Sequence, residues 1–192
     1  MATRRPERRN EESASAVIQA ALDLCQEVGY RKLSIEGIAA RAGVGKNTIY
    51  RWWPSKAAVL LDGLLSTMTM DASFPDTGDV RADLKTQMAA GIRTLGGPGL
   101  LPHYRALIGE AQHDPELHQA LWDRFVSKLS AAAAARIELA QKQGQIRADV
   151  DPVLIIELLY GAGYYRRLLT PRTVDQEQID AIVDLAFQGL AP

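Results

Sequence analysis

Residues 34–49 constrain this chain more than any other stretch. They read Ser34-Ile35-Glu36-Gly37-Ile38-Ala39-Ala40-Arg41-Ala42-Gly43-Val44-Gly45-Lys46-Asn47-Thr48-Ile49. Ile35, Ile38, Ala39 and Ala42 recur at helical spacing, Ser34 can cap the first turn, and Glu36 suits that turn's positive end. Gly43 breaks the pattern where a residue free to take positive φ can turn the chain sharply. Two helices approach that closely only with small side chains at the crossing, and Ala39 and Ala42 supply them. Val44 fills the gap. A further helix then runs from about Gly45 to Trp52 and is ended by Pro54, with Ile49 inward and Lys46, Asn47, Thr48 and Arg51 on its outer faces. Two short helices joined this way can set the second one into the major groove of DNA. The outer residues have the chemistry for it. Lys46 can reach guanine acceptors or a phosphate, Asn47 an adenine edge, and Thr48 a thymine methyl or a phosphate.

The rest of the chain reads as helix as well. Ser13 to Val28 carries a stripe of Val17, Ile18, Ala21, Leu22, Cys25 and Val28, and Gly29 ends it. Ser55 caps a fourth helix beginning at Lys56. Beyond it helices are expected over Asp79–Leu95, from Pro102 to about His113, from Pro115 to about Gln143, over Val153–Leu169 and over Asp175–Leu190. Gly-Gly-Pro-Gly at 96–99, Gly144 and Pro171 punctuate them. No strand alternation and no hairpin turn is visible, so the fold class is all-α.

Charge is divided along the chain. Residues 1–56 hold ten Lys and Arg against six Asp and Glu, a net +4, while the remainder holds twelve against seventeen, a net −5. A basic front on an acidic body points to a polyanion partner at one end. Arg4, Arg5, Arg8 and Arg9 precede the first expected helix and can form an arm reaching a minor groove or phosphates, or a solvated tail. Cys25 is the only cysteine, which excludes an internal disulfide or a cysteine metal cage and suits a small buried apolar residue. His103, His113 and His118 are spaced so that no two share a helix turn, so no metal is expected. No phosphate-binding glycine loop or nucleophile motif is present, so neither an enzyme nor a cofactor is expected. No apolar run reaches the roughly 20 residues of a membrane span, so the expected location is cytoplasmic, with no membrane partner.

Ser34-Ile35-x-x-Ile38-Ala39-x-x-Ala42-Gly43-Val44, followed by Thr48-Ile49-Tyr50, two aromatics and Lys56, resembles the N-terminal DNA-binding domain of the TetR family of transcriptional regulators. The resemblance spans roughly residues 10–60. It implies a three-helix helix-turn-helix domain over residues 1–56 and a helical effector-binding and dimerisation domain over residues 57–192. It also implies roles by position. Ser34 would meet a phosphate, Lys46, Asn47 and Thr48 would read bases, Tyr50 would contact the DNA backbone, and Lys56 would meet a phosphate near the start of the fourth helix. Trp53 stands at the family's buried aromatic, usually Phe, so its indole N–H needs an internal partner. Trp52 stands where Tyr or His usually faces the backbone, and an indole N–H can still donate to a phosphate. Gly45 occupies a cap more often filled by Ser, so a side-chain contact is lost there.

The same resemblance implies a homodimer on a palindromic double-stranded operator, built from the last two helices. Val153–Leu169 is apolar on most faces (Leu154, Ile155, Leu158, Leu159, Tyr165, Leu168), with Gly161 and Ala162 permitting close approach. Asp175–Leu190 adds Ile179, Ile182, Val183, Ala186, Phe187 and Leu190. The middle helices would enclose a ligand among Met88, Ile92, Tyr104, Leu107, Ile108, Trp122, Phe125, Val126 and Tyr160. The shortage of charge on those faces suggests a small hydrophobic or aromatic molecule. The expected function is a ligand-released regulator, a repressor in the first instance. The alternatives are an activator, or a body that binds a protein partner.

Overall fold

The computed structural model describes residues 4–67, 74–96 and 100–191, the side chains of residues 4–9, 67 and 96 aside. Among these residues lie ten α-helices and no strand. They are α1 Arg4–Val28, α2 Ile35–Ala42, α3 Lys46–Tyr50, α4 Lys56–Thr67, α5 Val80–Gly96, α6 Leu101–Ala111, α7 Pro115–Leu121, α8 Ser127–Lys142, α9 Pro152–Leu169 and α10 Gln176–Leu190. Most starts are marked by a local cap. Ser55 Oγ accepts from Ala58 N, Asp79 Oδ1 from Arg81 N and Ala82 N, and Asp114 Oδ1 from Glu116 N and Leu117 N. Asp151 and Asp175 do the same for α9 and α10. Pro115 and Pro152 open their helices, where a missing N–H costs nothing.

The structure corrects the sequence reading in three places. The first helix begins at Arg4, not Ser13. Its added turns are rich in Arg and Glu, which are strong helix formers. The expected arm therefore has a helical backbone, and the side chains of Arg4, Arg5, Arg8 and Arg9 lie outside the described ones. The recognition helix is shorter than expected, ending at Tyr50. The long helix from Pro115 is interrupted by a π turn at Trp122–Val126. Of the expected Gly-Gly-Pro-Gly break, Gly96 closes α5 and residues 97–99 lie outside the described residues.

The chain divides into two compact units, residues 1–69 with 97–121, and residues 70–96 with 122–192. In the first, α1 packs on α2, α4 and α6. Val17, Ala21 and Cys25 of α1, Ile38 of α2, Ile49 of α3 and Leu60 and Leu64 of α4 are each nearly or wholly inaccessible. Full burial of a Leu or Ile side chain contributes about 1.5–3 kcal/mol. Helices α1 and α4 pack tightly at Gly63, where an added Cβ would lie 3.0 Å from Leu22 Cδ2. His103 of α6 spends Nε2 on the Leu22 carbonyl at 2.9 Å, which sets its tautomer as the Nε2 donor when neutral. His113 and His118 are exposed.

In the second unit, α5, α8, α9 and α10 enclose Leu84, Met88, Ile137, Ile155, Leu159, Ile179 and Val183. One charged pair is buried with them: Arg136 Nη2 donates to Asp83 Oδ2 at 2.7 Å. Lys85 and Arg81 of α5 pair with Asp184 of α10 on the surface. No described helix is long and apolar enough to cross a membrane.

Candidate nucleic-acid interface

The turn between α2 and α3 forms as its residues require. Ser34 Oγ accepts from Gly37 N at 3.1 Å, leaving its own O–H free to donate outward. At the other end Gly43 takes φ 67°, ψ 30°, in the left-handed region. Val44 N bonds the Ala39 carbonyl at 3.0 Å and Gly43 N the Ala40 carbonyl at 3.4 Å. These two bonds close a Schellman motif that satisfies the last carbonyls of α2 and reverses the chain into α3. Ile35, Ile38 and Ala39 are buried on one side of the turn and Ile49 on the other. Gly45 opens α3 with no side-chain bond, as its lack of a hydroxyl dictates.

Because Ile49 points fully inward, its neighbours are turned out. Lys46, Asn47, Tyr50, Arg51 and Trp52 are exposed and Thr48 is half-buried. Ser34, at the start of α2, is exposed as well. Trp53 goes the other way: it is buried, and its Nε1 donates to Asp62 Oδ2 of α4 at 2.7 Å. The two indoles, 5.6 Å apart and tilted, separate a surface residue from a core residue across one peptide bond.

Lys56, expected to meet a phosphate, is also tied to protein carbonyls. It is half-buried, its Nζ donates to the carbonyls of Tyr30 at 3.0 Å and Leu33 at 2.9 Å, and it lies 4.3 Å from the centre of the Tyr30 ring. It ties the 3₁₀ turn at Tyr30–Lys32 to the start of α4, using two of its three donors. Burial first, and then Glu110 beside it, push the Tyr30 phenol well above its ordinary range.

Two exposed ion pairs link the helices. Arg41 of α2 grips Glu27 of α1 through both guanidinium nitrogens, at 2.9 and 2.8 Å. Lys46 Nζ lies 3.0 Å from Glu36 Oε1. The Glu36 carboxylate is held below its ordinary range, first by its own backbone N–H and then by Lys46. Sequence reasoning does not assign Tyr30, Glu36 or Asp62 to this surface. Of the three only Glu36, in the first turn after the Ser34 cap, carries a local signal, and it is that of a helix start.

The expected ligand residues fall in both units. Tyr104 and Leu107 are buried and Ile108 half-buried in the first unit. Met88 and Phe125 are buried, and Ile92, Val126 and Tyr160 half-buried, in the second. Trp122 is 48% exposed and does not share a face with Phe125. The π turn is the reason: its wider winding means that three residues no longer return to the same side. On α9, Ile155 and Leu159 enter the core of the second unit, while Leu154, Leu158, Tyr165 and Leu169 are 57, 56, 64 and 74% exposed. The α10 residues expected to be apolar contacts are buried in, or packed against, that core, and the large apolar side chain α10 exposes is Leu185.

Residues 17–62 match the family model described as bacterial regulatory proteins, tetR family, and residues 74–186 that of the tetracyclin repressor-like C-terminal domain. The HTH-type transcriptional regulator YdeS of Bacillus subtilis is 34% identical over 99% of this chain and 96% of its own length. The DNA-binding transcriptional repressor TetR of Mycobacteroides abscessus is 31% identical over 92% of each. Among solved structures, the TetR family transcription regulator SCO0332 is 38% identical, with a TM-score of 0.72 over 94% of this chain and 100% of that one.

Proposed function

This chain belongs to the TetR family of helix-turn-helix transcriptional regulators, and on that premise we propose that it is a repressor that binds a palindromic operator as a homodimer and is released by a small apolar or aromatic molecule. The observation that carries the DNA reading is the outward display of Lys46, Asn47 and Tyr50 around a fully buried Ile49. In the proposed complex Lys46, Asn47 and Thr48 read base edges. Ser34 and Tyr50 fix the register through phosphates, assisted by the Trp52 indole N–H and the remaining Lys56 donor. In this reading residues 1–56 form the DNA-binding part and residues 57–192 the effector-binding and dimerisation part.

One α3 reads too few base pairs to select a site, so two copies are needed. The α9 stripe of Leu154, Leu158, Tyr165 and Leu169, with exposed Gly161 and Ala162 between them, supports that face as the contact between copies. The proposed effector site is in the second unit around Met88, Ile92 and Tyr160, which gather at one core. A ligand favouring one body conformation would change the spacing of the two α3 helices and release DNA. That a relative at 31% identity is a repressor supports the sign of regulation.

The test is retention of genomic fragments by purified protein at moderate salt, beside a Lys46→Ala/Tyr50→Ala variant. A palindromic site retained only by the parent is expected. Equal retention by both proteins, without sequence preference, would end the reading.

A further inference from the structure

Helices α5 and α9 of the second unit each pack on α8 and α10, and Arg167 Nη2 of α9 donates to the Ile92 carbonyl of α5 at 3.2 Å. That bond brings the C-terminal turns of α5 and α9 together. The inward stripe of α5 is Leu84, Met88, Gly91 and Leu95. On α9 the stripe that ends at Arg167 holds Ile156, Tyr160 and Gly163. Each stripe therefore has a glycine beside the bond that joins the two helices. Both glycines are half-buried, yet a Cβ added to either meets nothing within 4 Å among the described residues. Interiors are otherwise packed to the density of organic crystals, so two such gaps at one place leave room for another molecule.

The polar groups at this end are unpaired. Arg166 of α9 is half-buried; its Nε, shielded from water, finds no acceptor and its guanidinium no carboxylate among the described residues. Gln178, in the first turn of α10 and just across the connection from α9, has its Oε1 buried and unpartnered as well. A charge drawn out of water is ordinarily paired, because the unpaired state is costly. The Nε edge of a guanidinium presents two parallel N–H donors, which match the two oxygens of a carboxylate. Arg167 beside it is spent on the Ile92 carbonyl, so one positive charge answers a monoanion rather than a phosphate dianion. Burial first, and then Tyr164, push the Tyr160 phenol well above its ordinary range, so that ring borders the space as a neutral group and does not repel an anion.

We propose that the effector of this chain is a small aromatic carboxylic acid, its carboxylate on the Nε edge of Arg166 and its ring in the space beside Tyr160 that Gly91 and Gly163 leave open. Gln178 Oε1 accepts from a hydroxyl or amino substituent where the acid carries one. This rests on the effector site proposed above and adds to it a charged anchor that the apolar lining does not contain.

The experiment keeps the two readings apart. Full-length protein is melted with and without benzoate, phenylacetate, cinnamate and 2-naphthoate, each beside its neutral primary amide, and the same compounds are added to the operator complex. At least one acid is expected to raise the thermal midpoint while its amide does not. Arg166→Gln is expected to weaken the apparent affinity for that acid roughly 10- to 150-fold, the range for a hydrogen bond to a charged group, with Arg166→Lys in between. Gly91→Leu fills the space and is expected to abolish the acid's effect, with a ligand-free midpoint at or above the parent's. No shift with any of the four acids, equal shifts from acid and amide, or a shift that survives Arg166→Gln overturns the inference. An acid that stabilises through Arg166 but leaves the operator bound would keep the site and end the reading of a ligand-released regulator. A neutral amide that releases the operator from parent and Arg166→Gln alike would keep that reading and end the role of Arg166.

Discussion

The buried pair of Asp83 and Arg136 offers the sharpest perturbation of this protein. The two side chains keep 1% and 3% of their exposure. Asp83 accepts from Arg136 Nη2 at 2.7 Å, Thr77 Oγ1 at 2.7 Å and Thr77 N at 3.2 Å, while Arg136 Nε donates to the Pro75 carbonyl at 3.1 Å. Burial alone would push the Asp83 carboxyl up, but the guanidinium and the Thr77 donors together outweigh it and hold it below the ordinary range. Asp83→Asn keeps the shape and removes the charge. Arg136 is then a buried cation whose nearest carboxylate is the half-exposed Asp76 at 3.5 Å. Removing one partner of a buried pair costs about 3–5 kcal/mol. For a chain of this length about 2–4 °C accompanies each kcal/mol, so the thermal midpoint should fall by roughly 6–20 °C. Asp83→Leu with Arg136→Met removes both charges, and it should return to within about 1 kcal/mol of the parent or exceed it. Arg136 Nη1 finds no acceptor among the described residues, so the native pair is itself incompletely satisfied. Calorimetric melts across pH add a second check. A depressed folded pKa contributes stability that is full above the unfolded value of about 3.9 and is lost as pH falls from there through the folded value. The parent should lose that contribution in acid, so its curve and that of Asp83→Asn should converge there. An Asp83→Asn midpoint equal to the parent's at neutral pH, or a double variant less stable than the single, would refute the reasoning.

Four further outcomes are expected. Trp53→Phe removes the indole donor from Asp62 and should cost about 1.5–3 kcal/mol in urea denaturation, as for a bond to a charged group; an unchanged midpoint would mean the bond contributes nothing net. Gly43→Ala must hold an L-residue at φ 67° and should cost about 1–2 kcal/mol in thermal melts, although a Cβ there meets nothing within 4 Å. Gly45→Ser, at φ −76° and a cap position, should instead gain a few tenths of a kcal/mol, about the difference between Gly and Ser caps; equal effects at both glycines would contradict the turn geometry. Leu158→Glu on the exposed stripe of α9 should yield a monomer by light scattering with weakened operator binding; an intact dimer would move the contact elsewhere.

The helix-turn-helix was legible in the chain because its determinants are local. A cap at Ser34, alanines at one crossing, a glycine at φ 67° and an inward Ile49 act within sixteen residues, and their spacing alone specifies which side chains face outward. The all-α class and most helix starts are legible for the same reason, since period and capping operate over one or two turns. What lay outside that range only the tertiary structure decided. Whether Lys56 is free depends on carbonyls 26 and 23 residues away, and the partner of Arg136 is 53 residues away. Helix α9 is apolar on nearly every side, so its sequence could not divide core from surface; packing against α8 and α10 did, sending Leu159 inward and leaving Leu158 outside. The meeting of Glu36 with Lys46 belongs to the same class. Each charge is visible in the chain, but only the angle at which two short helices leave Gly43 sets them one hydrogen-bond length apart.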